Sequence, residues 1–190
     1  MLNAGARTRE EQAMDDNYTS IVLIGMPGAG KSTIGVMLAK QTCRSFVDTD
    51  VLIQSSQGRP LQDIVDREGH LALRAIEEQV ILQFDCRNCV IATGGSAVYS
   101  PAAMAHLKQH GILVFLHADL SVLEARVHDL DTRGLAKRPD QSFLELFEER
   151  VPLYAKYADI MVTCGRLTHE EVCARIMEEL KRGHRQGACA

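Results

Sequence analysis

Between Gly25 and Thr33 the chain reads Gly-Met-Pro-Gly-Ala-Gly-Lys-Ser-Thr, a GxxxxGKS run followed by threonine, and its flanks restrict what can be built around it. Ser20 to Ile24 is a short apolar, β-branched run that suits a buried strand, and Ile34 to Lys40 continues as a helix. Strand, glycine loop and helix in that order make a phosphate cradle. Glycines let successive backbone N–H groups turn toward an anion, and the helix N-terminus adds positive potential. In such a cradle Gly28, Ala29, Gly30 and Thr33 surround the phosphates, Lys31 neutralises their charge and Ser32 offers its hydroxyl to Mg2+. A turn that merely joined strand to helix would need neither Gly30-Lys31-Ser32 nor this spacing.

The chain has 190 residues and 46% hydrophobic content, enough to bury one substantial core, so a single domain is expected over 19–183. Residues 1–18 form a polar lead without the apolar segment and cleavage site of a secretory signal, and 184–190 form a flexible tail. No apolar run approaches the roughly 20 residues that cross a bilayer. The net charge of -4 gives no general attraction to nucleic acid. A cytoplasmic monomer that engages neither membrane nor nucleic acid is the expectation. Cys86-Arg87-Asn88-Cys89 has CxxC spacing, yet no second pair completes a set of metal ligands, so reduced thiols without a chemical role are expected there.

Ser45-Phe46-Val47 reads as a second strand ending in Asp48-Thr49-Asp50, and Gly58 and Pro60 punctuate the stretch beyond it. Leu73, Ile76, Val80 and Phe84 predict a helix from about His70 to Phe84 with one buried stripe. Cys89 to Thr93 is a third strand closed by Gly94-Gly95-Ser96, Pro101 opens a helix through about Gln109, and Ile112 to Leu116 is a fourth strand. Ser121 and Glu124 have capping-box spacing and start a helix toward Val127. A loop without apolar period, about 128–141, comes next. Ser142 and Glu145 restart a helix that carries Arg150 near its end, because Pro152 disfavours helical geometry at Val151. Asp159 to Thr163 is a fifth strand, and Thr168 with Glu171 caps a last helix that Gly183 ends. Five short strands alternating with helices imply an α/β three-layer sandwich around a five-stranded parallel sheet. Ligands gather at the carboxyl ends of such strands, where the glycine loop, Asp48-Thr49-Asp50 and Gly94-Gly95-Ser96 all fall.

Asp48 and Asp50 stand two apart at a strand end, so one can hold a metal's water shell while Asp50 accepts a hydrogen bond from an attacking hydroxyl. Taken alone, Asp48 or Thr49 suits a helix cap equally well. With these motifs the chain resembles the shikimate kinases, a family of P-loop kinases. The resemblance is collinear from about Ser20 to Leu180. It runs through the glycine loop, Phe46-Val47-Asp48-Thr49-Asp50, Leu73-Arg74 with Ile76-Glu77-Glu78, Ile91 to Val98, Arg126, Arg133 and Arg150 to Tyr154. It implies ATP-dependent phosphorylation of the 3-hydroxyl of shikimate, with Mg2+. By the same resemblance Lys31, Asp50 and Arg133 are catalytic, and Ser32 and Asp48 hold the metal. Arg126 lies near adenine, and Arg133 is the arginine of a lid spanning about 128–141. Asp50, Arg74, Gly94, Gly95, Ser96 and Arg150 hold a small hydroxylated acceptor, the arginines taking its carboxylate. On the residues alone Arg74 could instead pair with Glu78, and Arg150 could be a solvated residue near a helix end.

The family has glycine where Ser96 stands, phenylalanine where Leu73 stands, and Pro-Leu-Leu where Arg133 is followed by Gly134-Leu135-Ala136. Arg138-Pro139 also preserves an Arg-Pro step, so Arg138 is a second candidate for the lid arginine. These departures leave two further readings: a kinase for another small hydroxy acid or polyol, and a nucleotide-binding module without catalysis.

Overall fold

A computed structural model of the chain describes residues 20–126 and 134–187, with side chains to residue 182. The polar lead, the first part of the expected lid including Arg133, and 188–190 lie outside the described residues. The strands are β1 (Ser20–Ile24), β2 (Ser45–Asp48), β3 (Cys89–Ala92), β4 (Ile112–His117) and β5 (Ile160–Thr163). They form one sheet in the order β2-β3-β1-β4-β5, with every neighbouring pair parallel. The helices are α1 (Lys31–Thr42), α2 (Thr49–Gln57), α3 (Leu61–Glu68), α4 (His70–Gln83), α5 (Pro101–His110), α6 (Leu120–Arg126), α7 (Phe143–Tyr157) and α8 (His169–Gly187), with a 3-10 turn at Ala97–Tyr99.

The apolar runs explain the strand order. β1 is buried at every position and β4 at all but its last, as strands covered on both faces must be, whereas β2 and β5 alternate or lie half-exposed at the edges. Among the helices α1 packs on α8, and α4 packs on α2, α3 and α5. The register pairs Leu23 with Ala92 and Val114, and Asp48 with Ala92, so the chain leaves β1, β2 and β3 along one edge. The strand order reverses beside β1. That reversal opens a crevice at the loop following it.

Several sequence expectations change in three dimensions. α2 and α3 occupy a stretch that reads only as Gly58 and Pro60 punctuation, because each is held by one deep anchor, Ile53 or Ile64, in a small cluster with Leu73 and Ala136. α6 begins one residue earlier than its supposed cap: the Val122 and Leu123 N–H groups both reach the Asp119 carbonyl, which places Ser121 inside the first turn. α7 runs through Pro152 to Tyr157. The lost backbone bond is outweighed by tertiary packing, since Tyr154 is fully buried, stacks on Phe115 and donates its hydroxyl to the Gly95 carbonyl at 2.6 Å. α8 continues past Gly183 to Gly187, a helix-interior glycine costing only about 1 kcal/mol. Cys86 and Cys89, expected as reduced thiols, are joined by a disulfide. The capping boxes at Ser142 and Thr168 form as the spacing predicts.

Candidate active site

The glycine loop turns through left-handed backbone at Gly28 (φ 83) and Gly30 (φ 94), conformations that suit glycine and that stack the loop on the end of β1. Gly30 caps α1 without any side-chain bond, so the first N–H groups of the helix are left for a ligand. Lys31 folds back over the loop, donating to the carbonyls of Gly25 at 2.8 Å and Met26 at 3.0 Å. Burial pulls its pKa down to about 8, against the pull of Asp50 in the other direction. The ammonium therefore remains charged at neutral pH and is part of the loop's own scaffold.

Ser32 donates to Asp48 Oδ2 at 2.6 Å, and Asp48 Oδ1 accepts from the Asp50 N–H at 3.0 Å. Asp48 is thus both the cap of α2 and the partner of the loop serine. Asp50 lies in the first turn of α2 and not on the strand end, where the chain has already become helical. A hydroxyl beside a carboxylate is an oxygen-only donor set that suits Mg2+, an ion commonly held by one or two carboxylates together with ligand phosphates. No cluster of three or more acidic, histidine or cysteine side chains that could cage a metal occurs among the described residues.

A crevice of about 880 Å³ runs from this loop across the sheet. Its lining includes Gly28, Gly30, Lys31, Ser32 and Thr33 at one end, with Asp50, Gly94, Gly95, Ser96 and Arg150 at the other. Arg126, 167–170 and Gly134 to Ala136 also line it. Ala29 is buried beneath the loop. The Thr49 hydroxyl accepts the Gly94 N–H at 2.9 Å, tying the third strand's loop to α2.

Arg150 is only 1% exposed although it is a guanidinium on a helix. It donates to Ala136 O at 2.8 Å and to the Tyr99 hydroxyl at 3.3 Å. Arg74 does not line the crevice. Its guanidinium lies 3.6 Å from the Tyr99 ring centroid and donates to the same Ala136 carbonyl at 3.2 Å. Two guanidiniums thus share one carbonyl oxygen, and neither the Arg74–Glu78 pair nor a solvated Arg150 describes their positions.

Glu77 is the residue sequence reasoning passed over as a functional group. It is 2% exposed, lines the crevice, and has its pKa raised to about 7, first by burial and also by Asp50, against the lowering effect of the Ser96 hydrogen bond. The signal was present in the sequence: the buried face of α4 is Leu73, Glu77 and Ile81, a carboxylate inside an i, i+4, i+8 apolar stripe. Asp50 also has its pKa raised, first by burial and then by Asp48. Arg138 pairs with Glu149 at 3.1 Å and lines a second hollow that shares Gln62 and Leu135 with the crevice, whereas Gly134, directly after Arg133, lines the crevice itself. Gly134 has φ 62 and donates its N–H to Gln62 at 2.6 Å, neither of which proline could provide.

A sequence model of shikimate kinase matches residues 27–181. The chain belongs to the shikimate kinase family. Relatives include the shikimate kinase of Thermosynechococcus vestitus, 40% identical with 85% of this chain and 89% of that protein covered. That of Thermodesulfovibrio yellowstonii is 36% identical over 86% of this chain and 95% of that one. Among solved structures, shikimate kinase from Acinetobacter baumannii in complex with shikimate superposes with a TM-score of 0.82 at 27% identity, covering 90% of this chain and 97% of that one. The Aquifex aeolicus enzyme gives 0.74 at 33% identity, over 87% and 98%. A thymidylate kinase from Candida albicans, at TM-score 0.56 and 14% identity, shares the fold alone. Family membership makes the chain an ATP-using phosphotransferase acting on a hydroxyl group.

Proposed function

We propose that this chain transfers the terminal phosphoryl group of ATP to the 3-hydroxyl of shikimate. One observation carries the reading: a single crevice joins the phosphate loop to Asp50 and to the buried Arg150 guanidinium. That is a layout for an anionic donor at one end and a carboxylate-bearing alcohol at the other.

Phosphoryl transfer asks the protein for positioning and charge stabilisation more than for covalent chemistry. The N–H groups of the loop and Lys31 hold the phosphates, with Arg126 toward adenine. Asp50 accepts a hydrogen bond from the acceptor hydroxyl and aims it. Arg150 and Arg74 receive the carboxylate, which takes over the place held by the Ala136 carbonyl. Gly94 and Gly95 stand on the ring side of the acceptor, their missing Cβ atoms leaving room for Glu77, Asp50 and Arg150 to close in on it, and Ser96 stands at the edge of that surface. Ser32 and Asp48 would hold Mg2+, which when bound would neutralise charge on the phosphates. Arg133, on a lid of about 128–141 within a domain of 19–183, closes over the transferred group.

A coupled assay of ADP release with ATP and Mg2+ tests the reading against shikimate, gluconate and homoserine. Release dependent on shikimate and near background with the others is expected. A protein inert toward shikimate and active on another hydroxy compound would overturn it.

A further inference from the structure

Ser96 follows Gly94-Gly95 in the crevice wall, and its backbone, at φ -97 and ψ -4, is ordinary right-handed geometry. The backbone there carries no strain, and what distinguishes the residue is its hydroxyl. That hydroxyl is not spent on local structure. Ser96 precedes the 3-10 turn at Ala97–Tyr99 without a side-chain cap, and only its carbonyl is used there, accepting from the Tyr99 N–H at 3.0 Å.

The hydroxyl reaches instead across the crevice floor and donates to Glu77 Oε2. The other carboxyl oxygen, Glu77 Oε1, is buried and has no hydrogen-bond partner among the described residues. It lies against the bare face of Gly94, where a Cβ would collide with it and would also come within 2.6 Å of Asp50 Oδ1. Two carboxyl groups from different helices thus converge on one glycine in the crevice wall. A buried acceptor oxygen without a donor is unfavourable until one arrives, and the crevice that Glu77 lines is the route by which one can arrive.

Building on the acceptor assigned above, we propose that Ser96 is a positioning residue that locks Glu77 by Oε2, so that Oε1 receives a second acceptor hydroxyl beside the one held by Asp50. The pair then selects for acceptors with neighbouring hydroxyls. A fixed rotamer is what such selection requires, because a carboxylate free to turn would satisfy itself elsewhere. The charged groups facing Glu77 are Asp50 on α2, Lys31 on α1 and Arg150 on α7. They bear on its proton, and Ser96 bears on its direction.

The test is a double-mutant cycle on the full chain with ATP and Mg2+, using Ser96→Ala, Glu77→Gln and the double variant, with melting curves to establish that each folds. Shikimate turnover by the wild type is read first. Its absence sinks the acceptor assignment and this inference with it. With that activity present, Ser96→Ala should raise KM for shikimate by about tenfold, leaving KM for ATP unchanged. In the Glu77→Gln background the same change should have less than about twofold effect. Shikimate analogues lacking one of the non-reacting ring hydroxyls give the specificity readout. Wild type should discriminate against one of them, and Ser96→Ala should lose most of that discrimination. Equal effects of Ser96→Ala in both backgrounds, or unchanged discrimination in an active, folded variant, would overturn the role of Ser96 while leaving the kinase reading in place.

Discussion

The two ends of the crevice are built on different physics. At the phosphate loop the working groups are backbone N–H groups at a helix start, shaped by glycines within nine consecutive residues and tied by Lys31 to the loop's own carbonyls. At the acceptor end they are side chains from α2, α4, α7 and the loop after β3, most of them buried, and they hold one another through Tyr99, Ala136 and Ser96. A local site keeps its geometry when distant parts of the chain change. A distributed one changes whenever one contributor does.

The largest effect should come from Lys31→Ala. Turnover should fall by more than about a thousandfold, with the melting transition lowered but still cooperative, because the lysine supplies phosphate charge and also spans two loop carbonyls. Near wild-type turnover would break the contrast at its stronger end. The lid arginine ranks next. Arg133→Ala should lose about a thousandfold in kcat, while Arg138→Ala stays within about twofold, since Arg138 is engaged with Glu149 at an exposed site. A crippled Arg138 variant beside a healthy Arg133 variant would reverse that order.

Asp50→Asn separates the two ends directly: kcat should drop by about a hundredfold with ATP affinity little changed. Equal losses in both, measured by nucleotide titration beside steady-state kinetics, would move Asp50 to the metal side. The smallest effect concerns stability. Glu77 has a folded pKa of about 7 against an ordinary 4.5, so between those values the native state keeps a proton that the unfolded chain has released. That contribution is fully present below about pH 4.5 and is lost as pH rises through about 7. Urea melts of wild type and Glu77→Gln at pH 5 and pH 8 should show the wild type losing its relative advantage at the higher pH. A constant difference between them would place the Glu77 carboxylate in a wetter setting than its burial implies.

Particular residues mark how far the sequence could be read. The strands, the capping boxes at Ser142 and Thr168 and the phosphate loop depend on neighbours within a few positions, and each lies where its pattern predicts. Pro152 shows the opposite case. Its local preference is to end a helix, and the burial of Tyr154 and Arg150 carries the helix across it. Asp48 reads equally as a cap or a metal residue, and only the approach of Ser32 from sixteen positions away shows that one carboxylate serves both contacts.

By itself, then, the sequence determined a parallel α/β sheet with a phosphate loop at its carboxyl edge, because apolar period, glycine placement and capping are short-range properties of the chain. Tertiary structure alone decided that Arg74 and Arg150 share the Ala136 carbonyl, that Ser96 reaches Glu77, and that Glu77 and Asp50 meet at Gly94. Partners that meet here stand as far apart as Arg74 and Arg150, 76 positions, and while the stripe of α4 marks Glu77 as buried, its partners depend on side chains brought up from other elements, which no local pattern encodes.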